Sequence, residues 1–209
     1  MIVKVCGVRT PEIAEAAVAA GADWLGLVFE PRSPRCVDDR AADAVREAVA
    51  GRASLIGVIV AGDAEHHAAL ARRHRLDALQ VHGDVSREVL LGAPVPVIRG
   101  LNVRGVAPAV ELDWPADCLV LLDAAPDDAG ALPGGTGRRL DLDLAAAVAV
   151  HRPILLAGGL GHESVAEAIA RVRPVGVDAS SGLERAPGVK DVGLVTAYVR
   201  AARQAAAAR

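Results

Sequence analysis

ILLAGGLGHESVAEAIARVRPVGVDASSG, residues 154–182, holds a short apolar run, a glycine-rich loop, a helical stripe, a second apolar run and a serine–glycine loop. The two runs, PILLA (153–157) and VGVD (175–178), are nearly continuous in apolar residues. That is the habit of strands covered on both faces. Val165, Ile169 and Val172 recur between them at helical spacing, so the unit reads strand, helix, strand, with a parallel sheet implied.

The same alternation extends to both ends of the chain. Six further runs are IVKVC (2–6), WLGLVF (24–29), SLIGVIV (54–60), ALQV (78–81), VPVI (95–98) and CLVLLD (118–123). Together with the first two they make eight strand–helix units within 209 residues. Open doubly wound sheets usually have fewer strands, and closure also removes exposed edges, so the expected fold is a single-domain (β/α)8 barrel over residues 1–209. Thr10 before Pro11 marks the start of the first helix, and Val192, Val195 and Val199 form a stripe expected to face the sheet after strand eight. No low-complexity linker divides the chain, and the tail AARQAAAAR reads as a frayed helix end.

Composition narrows the class. The chain is 52% hydrophobic and 23% charged, with 23 Lys+Arg against 26 Asp+Glu, and neither sign forms a long run. Nucleic-acid and membrane partners are therefore not expected, although a few local donors can hold a small phosphate at any net charge. The opening MIVKVCG has no signal-peptide core, and no stretch reaches the ~18 apolar residues of a membrane span, so a cytoplasmic location is expected. Cys6, Cys36 and Cys118 lack a C-x-x-C pairing, and His66, His67, His74, His151 and His162 lack ligand spacing, so neither a disulfide framework nor a metal is expected.

In such a barrel the C-terminal ends of the strands and the loops after them build the site. That rule selects Cys6, Arg35, His82, Asp123 and Asp178. Glycines concentrate at the same rim: GGTG (134–137), AGGLG (157–161) and SSG (180–182). Loops after strands seven and eight suit a phosphate, which assigns that role to Gly158, Gly159, Ser180, Ser181 and Gly182. The irregular stretch 124–140, with Gly134, Gly135, Thr136 and Gly137, reads as a lid or binding loop. From residue type alone, Cys6 could also be a small apolar residue at a strand end, Arg35 a surface charge and His82 a helix cap.

KVCGVRTPE (4–12), GADWLGLVFEPRSPRCV (21–37), LQVHGD (79–84), LLDAAPDDAGALPGGTGRRLD (121–141), ILLAGGL (154–160) and GVDASSGLERAPGVKD (176–191) occur in one order from strand one to helix eight. This series resembles the motifs of phosphoribosylanthranilate isomerase, an enzyme of tryptophan biosynthesis. The resemblance implies a cofactor-free Amadori rearrangement of N-(5-phosphoribosyl)anthranilate to 1-(2-carboxyphenylamino)-1-deoxyribulose 5-phosphate. It makes Cys6 the base that removes the C2 proton and Asp123 the acid that protonates the ring oxygen. Cys6 should then sit in positive surroundings, and Asp123 should be partly buried.

The resemblance also places Arg35 against the anthranilate part, His82 in the pocket wall, Ser180 at the phosphate and Asp178 at the substrate or its loops. The implied partner is a small phosphorylated aminosugar, and the assembly a monomer or a homodimer. Cys36 stands where the family generally has Tyr, Ala124 where a small polar residue is common, and LDLDL where FDW is frequent. The alternatives are the sister aminoaldose isomerase of histidine biosynthesis, which uses two aspartates, and a non-catalytic phosphosugar-binding barrel.

Overall fold

The structure, a computed structural model, describes residues 1–60, 62–103, 115, 118–125 and 139–209. In chain order the elements are β1 (Ile2–Cys6), α1 (Pro11–Ala20), β2 (Trp24–Val28), α2 (Asp39–Val49), β3 (Ser54–Ile59), α3 (Ala64–His74), β4 (Ala78–Val81) and α4 (Arg87–Leu91). There follow β5 (Val97–Val103), β6 (Leu119–Ala124), α5 (Leu142–Ala149), β7 (Ile154–Leu156), α6 (Val165–Val172) and β8 (Gly176–Ala179). A 3-10 turn at Ser181–Leu183 leads to the antiparallel pair β9 (Glu184–Ala186) and β10 (Val189–Lys190), and α7 (Val192–Ala207) ends the chain.

β1 to β8 close in sequence order into a parallel barrel, β1 pairing with β2 at Val5↔Leu25 and with β8 at Val5↔Ala179. Side chains alternate along each strand, so one set fills the barrel and the other meets the helices. Ile56, Ala78, Ile98, Leu121, Leu155 and Ala157 form the inner cluster, with Ile2, Trp24 and Leu119 against it. A larger layer, including Val3, Val5, Leu25, Leu79, Ile154, Val195 and Tyr198, lies between sheet and helices.

Helix starts are fixed chemically. Thr10, Asp38, Asp63, Ser86, Asp141 and Asp191 each accept a backbone N–H of the first turn of α1, α2, α3, α4, α5 and α7. The same residue type closes the barrel floor. Asp23 and Asp77, each just before a strand, accept from Val3 N and Leu55 N at 2.7 Å, giving partners to donors at the lower edge.

Three expectations change. The fifth strand begins at Val97 and runs to Val103, well past VPVI, because Arg99, Gly100 and Asn102 interrupt its hydrophobicity without interrupting its pairing to β6. Val192 is 38% exposed, so the buried stripe of α7 is Val195, Tyr198, Val199 and Ala202. The tail is not frayed: α7 continues to Ala207, Arg203 donates to Gly21 O and Met1 O, and Arg209 donates to Pro174 O and Ile169 O.

Candidate active site

The parallel strands deliver their C-terminal ends to one rim, where a cavity of about 620 Å³ opens. Cys6, Arg35, His82, Asp123, Asp178, Ser180 and Ser181 all border it. β1 and β6, which carry Cys6 and Asp123, are separated round the wall by β7 and β8, so the thiol and the carboxyl group reach the cavity from different sides. Gly158, Gly159 and Gly182 do not border it. They shape the loops beside it instead. Gly158 and Gly159 take left-handed φ values of 91° and 62°, which cost glycine little. A Cβ on Gly182 would lie 2.2 Å from Leu160 O, so the loops after β7 and β8 touch through that glycine. Gly134, Gly135, Thr136 and Gly137 lie outside the described residues.

Cys6 follows Ile2 and Lys4 on the inner face of β1. Only 7% of it is exposed. Lys4, on the same strand, is fully buried and puts its Nζ 3.0 Å from Asp178 Oδ2. Its charge also acts on the Cys6 sulfur and favours the thiolate. Burial pushes the Cys6 thiol above its usual range, Asp178 adds to the rise, and Lys4 and Lys190 pull against it without prevailing. The positive surroundings expected for Cys6 are thus present as two lysines, but burial outweighs them. The Lys4 ammonium is disfavoured by burial and held charged by Asp178 and Cys6, with a net upward shift.

Gly7 allows the turn that follows, with φ 77°, and a Cβ there would meet Arg35 Cδ at 2.9 Å. Arg35 is no surface charge: its side chain is 12% exposed and forks onto Glu184, Nε to Oε1 at 2.7 Å and Nη2 to Oε2 at 2.9 Å. Lys190 Nζ reaches the same carboxylate at 2.5 Å, and the Gly188 N–H donates to it at 3.2 Å. Burial works against the charge on Glu184, yet the bonds from Arg35 and Lys190 hold its carboxyl below the usual range. The β9–β10 hairpin therefore serves to bring one acid and one base over the rim.

His82 caps no helix, since Ser86 starts α4. Its ring is buried against Gly100, where a Cβ would lie 2.4 Å from Nδ1 and Cε1, and Nε2 is 2.7 Å from Gln80 Nε2. Burial, helped by Lys4 and Arg99, lowers its pKa to about 3, so the imidazole is neutral at physiological pH. Asp123 is 8% exposed, and its Oδ1 accepts the Ala124 N–H at 2.7 Å. Asp178 Oδ1 is buried beside the cavity without a hydrogen-bond partner among the described residues. Ser180 Oγ donates to Cys6 O at 3.2 Å, tying the loop after β8 to β1. Cys118 packs in the wall, its thiol donating to Val97 O at 3.5 Å, and Cys36 is half-buried away from this cavity.

Sequence reasoning passed over Lys4, Gln80, Glu184 and Lys190. For Lys4 a signal existed: it shares the Ile2–Cys6 face, so strand alternation aims it into the barrel. Gln80 stands in the same relation to His82. Glu184 and Lys190 stand inside the family-like segment 176–191 but no role attaches to them there, and the meeting of Glu184 with Arg35 is a tertiary event. Among the described residues no group of three or more His, Cys, Asp or Glu gathers as a metal site, and no helix is long and apolar enough to cross a membrane.

Residues 3–201 match the family model described as N-(5'-phosphoribosyl)anthranilate (PRA) isomerase. A relative from Azorhizobium caulinodans, named N-(5'-phosphoribosyl)anthranilate isomerase, is 42% identical over 217 residues, which span 99% of this chain and 93% of that one. The crystal structure of phosphoribosyl anthranilate isomerase from Thermus thermophilus is similar with a TM-score of 0.85 at 32% identity, covering 100% of this chain and 99% of that one. A phosphoribosyl anthranilate isomerase in complex with reduced 1-(o-carboxyphenylamino)-1-deoxyribulose 5-phosphate has a TM-score of 0.84 at 30% identity, covering 98% of this chain and 100% of that one. The chain belongs to the N-(5'-phosphoribosyl)anthranilate isomerase family.

Proposed function

We propose that the chain, acting as one barrel unit, isomerises N-(5-phosphoribosyl)anthranilate to 1-(2-carboxyphenylamino)-1-deoxyribulose 5-phosphate, with Asp123 as acid and Cys6 as base. The observation that carries this reading is a single cavity bordered by a thiol, a carboxyl group, a guanidinium and two serines. Its volume of about 620 Å³ suits one small substrate.

Asp123 protonates the ring oxygen, and the furanose opens to an iminium. The Cys6 thiolate then takes the C2 proton, leaving an enaminol. Loss of the C2 hydroxyl proton and gain of one at C1 give the aminoketose, so the proton sum is unchanged. Arg35, held in register by Glu184, offers its guanidinium edge to the anthranilate carboxylate. Asp178 Oδ1, buried without a partner among the described residues, suits a sugar hydroxyl. The touching loops around Gly158, Gly159, Ser180, Ser181 and Gly182 suit the phosphate. Neutral His82 serves as a shaped wall and hydrogen-bonding group, not as an acid.

Cys6 in place of an aspartate supports this reading over the histidine-pathway sister, and the presence of both titrating groups supports it over a binding protein without turnover. Complementation of a tryptophan auxotroph lacking this isomerase tests it. The wild-type chain restores growth and Cys6→Ala does not; growth restored equally by Cys6→Ala sinks the assignment of the base.

A further inference from the structure

Lys4 occupies a position where packing asks for hydrocarbon. The barrel interior includes the apolar cluster of Ile56, Ile98, Leu121 and Leu155 with Ile2 packed against it, and Ile2 lies two residues before Lys4 on the same face of β1. Burying an ammonium costs several kcal/mol, which a single carboxylate seldom returns in full. Lys4 is nonetheless fully buried, 3.0 Å from Asp178 Oδ2 and on the same face of β1 as Cys6. A Cβ on Gly26 would lie 2.9 Å from Cys6 Sγ and 3.2 Å from Lys4 Nζ, so sulfur and ammonium border one gap that only glycine leaves open.

Resting on the reading of Cys6 as base, we propose that Lys4 is the positioning residue of that base: its ammonium, anchored by Asp178, holds the sulfur toward the cavity and is the counter-charge of the thiolate. Lys4 keeps its own proton throughout; the proton that moves passes from the substrate C2 to Sγ. The charges that face Cys6 are Lys4 from β1, Asp178 from β8 and Lys190 from β10. Lys190 is held by Glu184, 2.5 Å away. Asp123 from β6 and the neutral His82, just after β4, border the same cavity. Lys4 is the cation that shares the gap over Gly26 with the sulfur.

The test is the pH dependence of Cys6 alkylation by iodoacetamide in the free protein, read peptide by peptide by mass spectrometry so that Cys36 and Cys118 do not contribute. Alkylation follows the thiolate fraction. Lys4→Met raises the midpoint by at least about one pH unit, slowing alkylation at pH 7 by roughly tenfold or more. Asp178→Asn, which leaves the ammonium unopposed, moves the midpoint the other way. Lys4→Met/Asp178→Asn removes both charges together and guards against misfolding of the single variant; its midpoint also stays above wild type. The acid limb of kcat/KM shifts upward in parallel, which a merely structural lysine would not produce. A midpoint within about 0.3 of wild type in either folded Lys4 variant overturns the proposal. Alkylation is read without turnover, so full activity in Cys6→Ala would end the assignment of the base separately from this comparison.

Discussion

Replacing Gly26 by alanine adds one methyl group at the most crowded point of the site. Gly26 has no positive φ, so alanine fits its backbone, and any effect must come from space. The added Cβ would stand 2.9 Å from Cys6 Sγ, 3.1 Å from Cys6 Cα and 3.2 Å from Lys4 Nζ, where ordinary contact begins at 3.4 Å. The second of these atoms is backbone in the barrel wall, with Cys6 paired in register to Gly26, so β1 cannot simply withdraw. The sulfur must therefore give way by about 0.5 Å and the ammonium by about 0.2 Å to reach ordinary contact. Overpacking of this kind costs about 1–3 kcal/mol of stability. A misplacement near 1 Å at a reacting group costs up to about a hundredfold in rate. Gly26→Ala is thus expected to fold, to lose about 1–3 kcal/mol in urea denaturation, and to lose ten- to a hundredfold in kcat. Gly57→Ala is the control: its Cβ would meet the tips of Leu76 and Leu79 on the outer face, so it should cost stability with kcat nearly unchanged. Wild-type kcat in Gly26→Ala, or an equal kinetic loss in Gly57→Ala, refutes the account of this gap.

Three other outcomes follow from the geometry. Because His82 titrates near 3 when folded against an ordinary value of 6.5, only the unfolded state gains its proton as pH falls below 6.5. Its contribution to stability is complete above pH 6.5 and shrinks by about 2 kcal/mol between pH 6.5 and 5; urea melts of His82→Gln should lack that part of the slope, and an unchanged slope contradicts the assignment. Glu184→Gln loosens the fork that aims Arg35, raising KM by about tenfold, equivalent to about 1.4 kcal/mol, with a smaller effect on kcat; steady-state kinetics at fixed pH reads the split. Leu155→Ala hollows the inner cluster and should cost about 2–5 kcal/mol in denaturation while sparing the rim.

The barrel is legible in the sequence because its strands are buried on both faces and so stand out as apolar runs. Where a strand reaches the mouth it must present polar side chains to the cavity, and there hydrophobicity fails as a guide. β5 reads shorter than it is because Arg99, Gly100 and Asn102 break its apolar run, although none of them borders the cavity. Lys4 shows only as a break in an apolar run, although the alternation Ile2, Lys4, Cys6 already turns it inward. Cys6, His82, Asp123 and Asp178 stand out because they end or follow strands, a position that sequence does reveal. The hairpin of β9 and β10 does not, since ERA and VK carry neither apolar alternation nor length. Its purpose, the Glu184 clasp on Arg35 and Lys190, depends on residues up to 149 positions apart. Val192 misleads by its spacing: it opens the helix at the rim, where the stripe has not yet turned onto the sheet.

If one thiol and one carboxyl group act on one bound sugar, removing either must slow turnover while leaving the sugar's binding intact. The direct measurement is turnover of N-(5-phosphoribosyl)anthranilate by purified wild-type chain, Cys6→Ala and Asp123→Asn, alongside the Kd of each for reduced 1-(o-carboxyphenylamino)-1-deoxyribulose 5-phosphate. The wild type forms the aminoketose, kcat falls by about 10²–10⁴ in each variant, and analogue affinities remain close to wild type. Either variant turning over within about twofold of wild type contradicts this chemistry.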